Sequence, residues 1–116
     1  MTARSVLALR VEGMVQGVGF RWFVRERAAT LGLVGWVWNA PDGAVELCAA
    51  GEAASLSLLR AEIEGGPQGA AVERVLVLAP DPTAADREGF AIVRGPERPA
   101  GLRSGRRPDC DSRERP

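Results

Sequence analysis

Two short segments hold the residues whose types and spacing could do chemistry. The first is Gly13-Met14-Val15-Gln16-Gly17-Val18-Gly19-Phe20-Arg21. Its three glycines within seven residues let the backbone curl so that successive N–H groups point inward. Such a nest beside a helix start binds anions. Arg21 falls in the first helical turn and can return its guanidinium over the same cradle, with a fork suited to phosphate or carboxylate oxygens. The second segment is Gly35-Trp36-Val37-Trp38-Asn39, ending in an amide that could hold a water or substrate beside the cradle. Each has a plainer reading. The first could be a Gly-rich β–α turn with a surface Arg, and the second a turn-starting Asn bonded to its own backbone. On residue types alone, both readings stand.

The common phosphate motifs do not fit. A GxGxxG pattern from Gly17 and Gly19 needs glycine at 22, where the chain has Trp22, and a Walker loop needs lysine. The chain contains no His, no Lys and no Tyr; all 15 basic residues are Arg. Ser-His-Asp and Cys-His catalysis, His-liganded metals, Schiff-base lysines and tyrosine nucleophiles are thereby excluded. The two cysteines, Cys48 and Cys110, are too few for a four-thiolate zinc site. Any chemistry falls to Arg, Asp, Glu, Asn, Gln, Ser, Thr or the backbone. Glu12 and Glu46 form no obvious acid/base pair, and Arg25 and Arg27 read as solvated helix charges.

The elements that must position these residues follow from periodicity. Residues 5–11 alternate, with Leu7, Leu9 and Val11 on one face and Val6, Ala8 and Arg10 on the other. From Phe20 the period turns helical, placing Phe20, Phe23, Val24, Ala28 and Leu31 together, with Gly32 as the stop. A strand over 34–39, a turn at Ala40-Pro41-Asp42-Gly43 and a strand over 44–50 predict a hairpin. Trp36 and Trp38 share a sheet face there, and at least one should be core. A second helix over 52–64 presents Leu56, Leu59 and Ile63 before Gly65-Gly66-Pro67. Strands over 72–78 and, after a polar loop, 90–93 complete the chain. The order βαββαβ plus a short extra C-terminal strand predicts an α+β, ferredoxin-like sandwich: an antiparallel sheet with both helices on one face.

The two chemical segments, taken together and in this order, resemble the acylphosphatase family. Gly13, Val15, Gln16, Gly17, Val18, Phe20 and Arg21 match its G-x-V-Q-G-V-x-F-R signature. Residues 31–39 match L-G-L-x-G-W-V-x-N. Asp42-Gly43-x-Val45-Glu46, Gly51, Gly66-Pro67, Ala71-Val72 and Phe90-x-Ile92 fit as well, so the likeness spans about residues 5–94. The resemblance implies hydrolysis of acyl phosphates to carboxylate and inorganic phosphate, without metal or organic cofactor. It implies that Val15, Gln16, Gly17, Val18, Gly19 and Phe20 form a backbone phosphate cradle, that Arg21 binds phosphate and that Asn39 positions the attacking water. Ala40 stands where many relatives carry a hydroxyl residue. The alternative is a non-catalytic phosphate- or anion-binding module of the same fold.

Bulk composition agrees with one globular domain. The chain has 116 residues, 46% hydrophobic and 26% charged, with zero formal net charge, which disfavours a strongly basic nucleic-acid binder. Residues 1–95 read as the folded unit. Residues 96–116 carry four Pro, six Arg and four acids with Leu102 as the only large aliphatic side chain, and are expected to be a disordered, solvated tail. The longest uncharged run is the 14 residues from Ala28 to Pro41, interrupted by Gly32, Gly35 and Pro41, too short and broken to span a bilayer. A cytoplasmic monomer with two free thiols is expected, binding neither nucleic acid nor membrane.

Overall fold

The computed structural model describes residues 4–94; the expectations for Cys110 and for the 96–116 tail lie outside them. Along the chain run β1 (Ser5–Met14), α1 (Phe20–Thr30), β2 (Val34–Asn39), β3 (Val45–Gly51), α2 (Ala53–Gly65), β4 (Ala71–Leu78), a short 3₁₀ turn (Pro82–Asp86) and β5 (Phe90–Ile92). The strands form one sheet in the order β4-β1-β3-β2-β5. The first four are antiparallel neighbours, while β5 joins the edge parallel to β2. The sheet is therefore mixed rather than wholly antiparallel.

Alternation sorts the strand residues between two cores. Leu9 and Val11 of β1, Val37 of β2 and Val45, Leu47 and Ala49 of β3 face the helices. There they meet Phe20, Val24 and Ala28 of α1 and Leu56, Leu59 and Ile63 of α2. This is the face and helical stripe that periodicity predicts. Helix α1 ends in a Schellman motif: Gly32 N–H donates to Ala29 O and Leu33 N–H to Ala28 O. The opposite face is also covered. Trp36, Trp38, Ala8 and Cys48 pack with Ala84 of the 3₁₀ turn, a turn formed where the sequence suggested only a polar loop. Both tryptophans are core residues. Burial pushes the free Cys48 thiol up from its ordinary pKa.

Strand direction sets the functional end of the sheet. β1 and β2 both run antiparallel to β3, and β5 runs parallel to β2. The C-terminal ends of β1, β2 and β5 therefore lie at the same end of the molecule. The loop into α1, the residue Asn39 and the segment after Ile92 all leave from that end.

Candidate active site

β1 is longer than its alternation suggests. It continues through a bulge at Glu12/Gly13 to Met14, so Gly13 and Met14 belong to the strand and the loop proper is residues 15–19. Gly17 (φ 77°) and Gly19 (φ 79°) both take left-handed backbone. A side chain at either would meet no atom within 4 Å, so backbone conformation, not crowding, selects glycine here. Gly19 is also the N-cap of α1 and uses no side-chain cap. The first N–H groups of a helix have no intrahelical partner, and here they begin at the loop itself.

The loop, Arg21 and Asn39 meet in one pocket of about 190 Å³. Val15 and Phe20 are buried and form its floor; Gly17 and Gly19 give it a backbone wall, and Arg21 and Asn39 line it together. Asn39 shares the strand parity of Val37, which faces the helices, so it lies on the side of the sheet from which α1 starts. Its Oδ1 is buried and accepts no hydrogen bond from any of the described residues.

Of the predicted cradle residues, Gln16 and Val18 do not line the pocket. Val18 packs against the helix-side core. Gln16 Nε2 donates to Ala40 O at 2.8 Å and to Ala44 O at 2.9 Å. It ties the loop to both ends of the turn that follows Asn39, across 24 and 28 residues of sequence. Their side chains hold the loop in place. Sequence reasoning missed three lining residues: Trp22, Ile92 and Arg94. The Phe90-x-Ile92 strand was legible, but its place beside β2 was not.

A second cluster lies on the other sheet face. Arg10 Nε donates to Glu12 Oε2 at 2.8 Å and Nη1 to Glu46 Oε2 at 2.9 Å, and Nη2 is bonded to Asp42. Trp38 Nε1 donates to Glu46 Oε1 at 3.0 Å, and Arg74 Nε to Glu12 Oε1 at 2.9 Å. Glu46 is fully buried. Burial opposes the charge on Arg10, but its three carboxylate partners outweigh that and raise its pKa further. Burial likewise pushes Glu12 and Asp42 up; hydrogen bonds from Arg10, joined at Glu12 by Arg74, reverse the direction and hold both below the usual carboxylate range. The network pins the β2–β3 turn through Asp42. Glu12 and Glu46 thus meet one arginine without forming an acid/base pair.

Among the described residues no group of three or more His, Cys, Asp or Glu side chains could hold a metal ion, and no helix is long and apolar enough to cross a membrane.

The fold is an α+β sandwich with a pocket, lined by the glycine loop, Arg21 and Asn39, where β1 and β2 end. Residues 7–92 match the model of the acylphosphatase family. An acylphosphatase of Synechococcus sp. (strain CC9311) is 54% identical over 67 residues, 58% of this chain and 74% of that protein. The structure of an acylphosphatase from Coxiella burnetii superposes with a TM-score of 0.69 at 37% identity, covering 78% of this chain and 93% of that one. An acylphosphatase from Bacillus subtilis gives 0.72 at 33% identity, covering 79% and 100%. The chain belongs to the acylphosphatase family. Its activity is hydrolysis of acyl phosphates, and the non-catalytic alternative is not favoured.

Proposed function

We propose that the phosphoryl group of an acyl phosphate sits in the 15–20 backbone cradle under Arg21, and that Asn39 holds the water that attacks it. The observation that carries this reading is the unsatisfied Asn39 Oδ1, buried in the same pocket as Arg21 and the glycine loop. An amide oxygen there accepts a hydrogen bond from water and fixes its direction; it is too weak a base to take the proton outright. The backbone N–H groups and the Arg21 guanidinium donate to the phosphoryl oxygens and stabilise charge as the P–O bond to the acyl group breaks. One guanidinium–phosphate charge pair near 4 Å is worth about 4 kcal/mol at an effective dielectric of about 20. If most of it acts in the transition state, its loss slows turnover about a thousandfold.

Arg21→Gln is therefore expected to lose both inorganic phosphate binding and turnover. Asn39→Ala is expected to lose turnover while binding phosphate nearly as well as the wild type. The assay is loss of ultraviolet absorbance of an aromatic acyl phosphate at neutral pH with chelator present, beside phosphate titration by calorimetry. Equal loss of phosphate affinity in both variants would overturn this division of roles. Turnover that stops on adding chelator would overturn the metal-free mechanism. We further propose that residues 1–95 act as a monomeric unit, working in the cytoplasm on small-molecule acyl phosphates.

A further inference from the structure

The pocket lining divides in two. One part is the loop, Arg21 and Asn39. The other is Trp22, Ile92 and Arg94, which the phosphoryl chemistry does not use. Trp22 is 60% exposed, an unusual amount of open apolar surface for a tryptophan. Arg94 is exposed and makes no ion pair among the described residues. Among the described residues no carboxylate lines the pocket.

In an acyl phosphate the acyl carbon is bonded to a phosphoryl oxygen. Once the phosphoryl group is in the loop, the acyl chain has to lie against whatever lining remains. That lining is an indole, an isoleucine and a guanidinium. The first two cover hydrocarbon, and the third selects an anion. We infer that this site prefers acyl groups carrying a second anionic group, received by Arg94, with Trp22 and Ile92 covering the hydrocarbon between the two charges. This rests on the phosphoryl group occupying the loop, as proposed above. Arg94 is then a specificity-determining residue for the acyl half of the substrate and takes no part in breaking the P–O bond.

The test compares butanoyl phosphate with its four-carbon counterpart bearing a terminal carboxylate. The quantity read is the ratio of kcat/KM, carboxylated over plain, in wild type and Arg94→Gln. Wild type is expected to favour the carboxylated compound. Arg94→Gln is expected to lower the ratio about fivefold, the upper end for a solvent-exposed ion pair. Raising the salt should erode the ratio in wild type and leave it unchanged in the variant. An unchanged ratio in an active variant would overturn this inference alone. Absence of wild-type turnover on both compounds would overturn the phosphoryl-site reading as well.

Discussion

Truncating Glu46 to alanine tests whether the network on the second sheet face holds the fold together. The Glu46 carboxylate is fully buried and accepts hydrogen bonds from Arg10 Nη1 at 2.9 Å and Trp38 Nε1 at 3.0 Å. Removing it leaves a buried indole N–H without an acceptor, a cost of about 1–3 kcal/mol. It also removes one charge-assisted bond to Arg10, worth about 1.5–3 kcal/mol. Arg10 keeps Glu12 and Asp42, so its charge is not stranded. The total should therefore lie near the lower end of the range for breaking a buried ion pair, about 3 kcal/mol. Glu46→Gln keeps the volume and one acceptor, but its amide N–H₂ must face one of the two donors; about 2 kcal/mol is expected. Urea unfolding followed by tryptophan fluorescence reads both variants, because Trp36 and Trp38 lie in this core. With a urea slope of about 1.5 kcal/mol/M, Glu46→Ala should move the midpoint down by about 2 M. A loss below about 1 kcal/mol for Glu46→Ala would show that the cluster behaves like a surface ion pair and would refute the reasoning.

The same network predicts the direction of acid sensitivity. Glu12 and Asp42 have pKa values lowered by folding, so their stabilisation is complete above the ordinary carboxylate pKa. It is lost as pH falls through the folded values, because the unfolded chain then binds more protons. Urea midpoints should be flat from about pH 7 to pH 5 and fall below about pH 4; Arg10→Met should flatten that fall, and an unaltered acid limb would count against the network. Gly35→Ala should be severely destabilising. Its φ is 141°, and an added Cβ would sit 1.9 Å from Cys48 O across the β2–β3 ladder. A loss of at least about 3 kcal/mol is expected, from backbone strain and overpacking together; a variant with an unshifted urea midpoint would contradict the close approach.

The chain's local patterns specified a large part of this protein. The 3.6-residue spacing of Phe20, Val24 and Ala28, and of Leu56, Leu59 and Ile63, named the buried helix faces, because a helix between solvent and sheet can bury only one stripe. Strand alternation separated Leu9 and Val11 from Ala8 and Arg10 in the same way. The Gly17–Arg21 loop and Asn39 were legible as a glycine-rich turn into a helix and a strand end, because those are local events; their roles came only from the family resemblance. Three features were decided only in the tertiary structure. Placing β5 parallel to β2 brings Ile92 and Arg94 to the pocket, and a three-residue strand carries no sign of which edge it will join. Gln16 reaches Ala40 O and Ala44 O only because β1 and β2 end on the same side of the sheet. Arg10 meets Glu46 only through the β1–β3 register, which sets them directly opposite across 36 residues. Local propensity acts within a few residues, whereas cross-strand partners are set by register. Register is fixed when the whole sheet buries its two faces.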